Sequence, residues 1–140
     1  MRQLTCFSAL KANLRRLDKD LAIDIRVKTI TVSHPIVNKL FSLGEGRLVA
    51  FGCTKKRFIT VFERKLRWTG AFLVAAKWYP KLDRITDAVF VLVLRELGYE
   101  DKFDKARNEL KVQDDLLFAV DALLGILEPI TERSVSSQHR

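Results

Sequence analysis

Residues 57–68 read RFITVFERKLRW, and how this stretch folds decides the fold class. Its first half, residues 58–62, consists of β-branched and aromatic residues, which favour a strand. Four apolar side chains have the same parity and would lie on one face of a strand: Phe58, Phe62, Leu66 and Trp68. The preceding stretch 47–53 would form the other arm of a hairpin, with the turn at residues 54–56. The spacing of Phe62, Leu66 and Leu73 also fits a helix, but we prefer the strand.

The sequence before the hairpin predicts a helix, a strand and a second, short helix. Residues 4–17 have apolar side chains at helical spacing, and residues 21–33 alternate between apolar and polar, with a phase change near Thr29 that a bulge would absorb. Ser33 and Pro35 are typical of a helix start. We expect that short helix to end at the glycines of residues 44–46.

The second half of the chain predicts helices. Thr69 can cap a helix that ends before Pro80, and Thr86 or Asp87 can cap another that ends at Leu97, with Gly98 after it. The apolar run 88–94 could instead be a buried strand, but the flanking caps favour a helix. Residues 101–128 predict one long helix that Pro129 ends.

These elements together predict an α+β fold: an N-terminal helix, a small antiparallel sheet and a C-terminal helical layer. We expect a single compact domain over 1–133, made of a basic α/β half (1–68) and a helical half (69–133). Residues 134–140 are predicted to be a flexible tail.

Positive charge is concentrated in the first half of the chain. The 140 residues include 25 Lys and Arg against 17 Asp and Glu, a formal net charge of +8. Residues 1–68 hold 15 basic and 5 acidic residues, whereas residues 69–140 hold 10 and 12. The first half therefore carries +10 and the second −2. Such asymmetry suggests a surface for a polyanion: nucleic acid, anionic lipid or an acidic protein.

The densest group of basic residues lies in and beside the predicted hairpin. We expect the main contacts to a nucleic-acid backbone, RNA or DNA, from this group: Lys55, Lys56, Arg57, Arg64, Lys65 and Arg67. On a strand, Arg57, Lys65 and Arg67 would share one face. A secondary set would extend the surface from the N-terminal elements: Arg15, Arg16, Arg26 and Lys28.

No catalytic or metal-binding motif is recognisable. The two cysteines, Cys6 and Cys53, lie far apart, and the two histidines are His34 and the near-terminal His139. Any pairing of a cysteine with His34 has almost no specificity. We therefore expect a non-catalytic binding protein without metal or cofactor.

An assembly or adaptor protein is the alternative function. The helix predicted at 101–128 is apolar over much of its girth, so it either lies in the core or holds a protein partner, such as a second copy in a homodimer. The basic half would then meet an acidic protein or an anionic membrane surface. The sequence has no apolar run long enough for a transmembrane segment. We expect an intracellular protein, cytoplasmic or nuclear. The basic segment 1–17 leaves a mitochondrial location as an alternative.

Overall fold

The protein is helical throughout the part of the chain that the structure, a computed structural model, describes: residues 35–76 and 81–138. It forms five helices there: α1 (Pro35–Ala50), α2 (Lys56–Ala76), α3 (Leu82–Glu96), α4 (Glu100–Glu109) and α5 (Asp114–Gln138). The predicted α+β class is therefore wrong, because these ranges contain no strand. The predicted N-terminal helix and first strand, residues 4–33, lie outside the described residues. None of the described helices is long and apolar enough to cross a membrane.

The predicted hairpin is replaced by the end of α1 and most of α2. Phe58, Phe62 and Leu66 are four residues apart, so they lie on one face of a helix as well as of a strand. In α2 all three are buried. Thr69 does not cap a helix but lies in the middle of α2, where its hydroxyl donates to the Lys65 carbonyl oxygen at 2.8 Å.

Helix α3 is the centre of the fold. It contacts each of the other four helices, and every residue from Ile85 to Leu94 is buried. A helix that is apolar all round is typical of such a central position. Aromatic rings join it to α2: the Phe90 centroid lies 5.5 Å from that of Phe58 and 5.7 Å from that of Phe62, in edge-on arrangements.

The ends of α3 agree in part with the sequence prediction. Gly98 follows the helix with φ of 84°, and the Tyr99 amide donates to the Leu94 carbonyl oxygen at 2.8 Å, so the predicted glycine stop is confirmed. The predicted caps Thr86 and Asp87 lie inside α3, which begins at Leu82. Thr86 instead donates to the Leu82 carbonyl oxygen at 2.8 Å.

The single long helix predicted at 101–128 is two helices, α4 and α5. The chain turns at Lys111, whose φ is 53°, and the Val112 amide donates to the Arg107 carbonyl oxygen at 3.1 Å. Arg84 of α3 stabilises this turn from outside, since its guanidinium donates to the Leu110 carbonyl oxygen at 2.9 Å. Pro129 does not end α5, which runs to Gln138. The flexibility expected for residues 134–140 stays a prediction.

Most of the apolar side chains described on α5 pack against other helices of the same chain. The buried side chains of α5 pack in the common core with α2 and α3: Leu116, Leu117, Ala119, Val120, Leu123, Leu124 and Leu127. Among the side chains of α5 that the structure describes, Phe118 is the large exposed exception, at 63% exposure. A second copy is therefore not needed to explain the composition of this helix, and the predicted homodimer stays a prediction.

Candidate nucleic-acid interface

The exposed face of α2 collects the basic residues of the chain's densest cationic stretch. Successive helical residues are about 100° apart, so four cations fall within an arc of about 100°: Lys56, Arg57, Arg64 and Arg67. All four are exposed. Lys55 is exposed in the loop immediately before the helix. We call these five residues the basic row. The opposite side of α2 carries Phe58, Phe62 and Leu66 into the core, so burial of the apolar face turns the basic row outward.

None of the five side chains of the basic row forms an ion pair with an acidic group of the described residues. Arg47, by contrast, is paired with the buried carboxylate of Asp87, and Arg95 lies 3.0 Å from Asp121.

The sequence of α2 contains one acidic residue, Glu63, which is exposed about 20° outside the arc of the basic row. Glu45 and Glu63 line a hollow with Arg67. Glu96 lines another hollow with Arg57. The positive field of the row is therefore partly compensated at these two members.

Aromatic rings support three members of the basic row. The Arg64 guanidinium lies 5.3 Å from the Trp68 ring centroid, and that of Arg67 lies 5.3 Å from the Phe41 centroid. The Lys55 ammonium lies 4.8 Å from the Tyr99 centroid. Such contacts hold a cation in place without neutralising it. Trp68 is only 6% exposed, so this ring is not available to stack on a nucleobase.

Lys65 does not belong to the exposed surface. Its side chain is buried, with the ammonium 3.8 Å from a Glu96 carboxylate oxygen and 5.2 Å from the Trp68 centroid. The shared face predicted for Arg57, Lys65 and Arg67 is not formed, because a helix places Lys65 about 80° from Arg57 and about 160° from Arg67. The structure thus groups five of the six main candidates.

The secondary candidates lie outside the described residues: Arg15, Arg16, Arg26 and Lys28. Their role in extending the surface stays a prediction. The structure adds Lys102 of α4, which the sequence analysis did not single out. Its ammonium lies 5.5 Å from the Tyr99 centroid, on the ring that Lys55 also contacts. Lys102 is 47 residues from Lys55, so no local pattern could have shown this proximity.

The described residues offer little for catalysis. They contain no cluster of three or more potential metal ligands. The Cys53 thiol is buried, and burial raises its pKa, although the Lys102 ammonium acts in the opposite direction. A raised pKa makes a thiol a weaker nucleophile at neutral pH. The expectation that the protein is not an enzyme stays a prediction.

A proposal about function therefore depends on the exposed cations on and beside α2. Comparison of the chain with protein-family models, with curated proteins and with solved structures finds no match in any of the three.

Proposed function

We propose that the protein binds the phosphate backbone of RNA or DNA through the basic row, without strong sequence preference and without catalysis. The observation that carries this proposal is the set of five exposed cations on and beside α2 that lack an acidic partner among the described residues. Phosphate contacts of this kind supply affinity that is independent of sequence.

The length of the basic row suits a linear polyanion. Residues 55–67 rise over about 16–18 Å at 1.5 Å per residue. One strand of a duplex presents a phosphate about every 3.4 Å along its axis, so a row of this length runs beside roughly five phosphates. Guanidinium groups, which three of the five residues carry, can bind phosphate with two parallel hydrogen bonds.

The apolar surface favours nucleic acid over an anionic membrane. A membrane-binding helix inserts exposed apolar side chains beside its cations. Among the described residues, the large exposed hydrophobic side chains are Val49 and Phe118, on α1 and α5 rather than on α2. Among the described residues of α2, no large apolar side chain is therefore exposed beside the basic row.

Fluorescence anisotropy of labelled 20-nucleotide RNA, DNA and duplex DNA tests the proposal. If four to five phosphates are neutralised, the slope of log K against log salt should be about −3 to −4.5, and affinity should fall by about 60- to 500-fold between 50 and 200 mM salt. The double variant Arg57→Gln/Arg64→Gln should lose about 1.4–1.8 from the magnitude of the slope.

The matched control is Lys39→Gln/Lys105→Gln, which removes two exposed cations from α1 and α4. It should leave the slope unchanged within error. Equal weakening by both double variants would mean that net charge, and not the basic row, drives binding. Absence of binding at 50 mM salt contradicts the proposed function, and so does binding only to anionic vesicles.

A further inference from the structure

A small pocket opens beside the start of the basic row, between the loop that precedes α2 and the first turn of α4. Its volume is about 90 Å³. Cys53, Thr54 and Phe58 line one side, and Tyr99 and Lys102 line the other, with Lys55 shared between the pocket and the basic row. No acidic side chain is among its lining residues.

Two ammonium groups meet at this pocket on a single aromatic ring. Lys55 and Lys102 lie 4.8 and 5.5 Å from the Tyr99 centroid. Neither is ion-paired with a described residue. Glu96, which lines a neighbouring hollow with Arg57, is 3.8 Å from the Lys65 ammonium instead. Since both lysines line the pocket, an anion bound there would be attracted by two positive charges.

The positive field extends into the pocket interior. The Lys102 ammonium lowers the pKa of the Cys53 thiol, against the larger effect of burial, which raises it. Lys102 thus acts electrostatically on a buried group of the pocket wall. An anion at the mouth of the pocket, beside the exposed Lys55 and Lys102, would gain the same attraction without the full loss of hydration that dominates at the buried thiol.

We propose that this pocket binds the terminal phosphate monoester of a nucleic-acid strand whose backbone lies along the basic row. The inference rests on the proposed function and names the part of the ligand that this site takes. A monoester carries a charge of about −1.5 to −2 at pH 7 and three free oxygens, which matches two ammonium groups better than an internal diester does. The pocket has room for a group the size of a few water molecules, and so for a chain end rather than for a base.

Three oligonucleotides of one sequence test the inference: one with a 5′ phosphate, one with a 3′ phosphate and one with hydroxyl groups at both ends. We expect one of the phosphorylated forms to bind about 10-fold more tightly than the hydroxyl form. In Lys102→Gln this preference should fall to within about twofold. The matched control Lys105→Gln, three residues along the same exposed helix and outside the pocket lining, should keep the preference.

The outcomes separate the two proposals. Equal affinity for all three oligonucleotides, or an undiminished preference in Lys102→Gln, overturns the pocket inference and leaves backbone binding intact. Absence of binding to any of them, which contradicts the proposed function, is a different result. Lys55→Gln provides a second variant should Lys102→Gln not fold, as judged by circular dichroism.

Alkylation of Cys53 locates the phosphate independently. In a Cys6→Ser background, N-ethylmaleimide reports on Cys53 alone, because the chain has two cysteines. The preferred phosphorylated oligonucleotide should slow alkylation at least about threefold more than the hydroxyl form at equal occupancy, because a phosphate in the pocket covers the thiol. Equal rates with the two oligonucleotides would place the phosphate elsewhere and overturn the inference.

Discussion

Two glycines two residues apart in α1 should respond oppositely to the same substitution. A Cβ atom added at Gly44 would lie 2.7 Å from Leu66 Cδ1 and 2.8 Å from Phe62 Cε1, at the point where α1 crosses α2. A Cβ atom at Gly46 would meet nothing within 4 Å. Both residues lie inside the helix, so neither is required by a turn.

The magnitudes follow from helix propensity and packing. Replacement of a helical glycine by alanine stabilises a protein by about 0.5–1 kcal/mol, and we expect this gain for Gly46→Ala. Gly44→Ala has the same gain, offset by about 1–3 kcal/mol for overpacking against a rigid ring and a leucine. The difference in unfolding free energy between the two variants should thus be about 1–3 kcal/mol, because the propensity contribution cancels.

Urea denaturation followed by ellipticity at 222 nm measures both variants against the wild type. Gly46→Ala should raise the denaturation midpoint and Gly44→Ala should lower it, with unchanged m-values. The sequence alone predicts that the helix ends at these glycines. If both stood in such a turn with positive φ, both substitutions would destabilise the protein. If α1 did not approach α2 closely, both would stabilise it. Either result would refute the crossing described here.

Three further perturbations test the turn, the buried ion pair and the basic row. Lys111→Gly should raise the unfolding free energy by about 1 kcal/mol in urea titrations, since Lys111 adopts a positive φ, whereas Lys105→Gly inside α4 should lower it by about 1 kcal/mol. Burial raises the pKa of Asp87, although Arg47 opposes it. This group therefore adds stability below about pH 4, the ordinary Asp pKa, that is lost as pH rises through its raised folded pKa. Denaturation from pH 3.5 to 7 should show this pH dependence in wild type and not in Asp87→Asn. Glu63→Gln should tighten oligonucleotide binding in the anisotropy assay by roughly two- to fivefold, because it removes an acidic charge next to the basic row. Unchanged or weaker binding would count against that surface.

Sequence periodicity predicted that the second half is helical, because such signals are local. The predicted caps at Thr69 and at Thr86 or Asp87 are wrong, and so is the predicted stop at Pro129. The buried centre of α3 was assigned to a helix on the strength of its flanking residues, and Gly98 ends that helix as expected.

A glycine that follows a helix can be recognised in the sequence as a stop, because glycine adopts positive φ without steric cost. A lysine such as Lys111 does not mark a turn in the sequence. Its turn depends on the Arg84 guanidinium, 27 residues away, which binds the Lys111 carbonyl oxygen as well as that of Leu110.

The hairpin prediction failed because a spacing of four residues does not distinguish helix from strand. Phe58, Phe62 and Leu66 satisfy both periods, and the β-branched residues between them favoured the strand. Packing decided the matter: α2 lies against α1, α3 and α5 and buries Thr69, Phe72 and Leu73 farther along the same face. Such tertiary contacts routinely override weak β-propensity.

The change from strand to helix also changes which cations can act together. On the predicted strand, residues 57–68, Arg64 has the parity of Phe58 and would point into the core, while Arg57 and Arg67 would face solvent. That arrangement would bury a charged side chain, which is costly unless the charge is paired. The helix removes the conflict, because it turns Lys56, Arg57, Arg64 and Arg67 to one exposed arc. Lys65 is the exception, since its buried ammonium lies near Glu96 and Trp68. The helical fold therefore gives a denser row of exposed cations than the predicted sheet would have done.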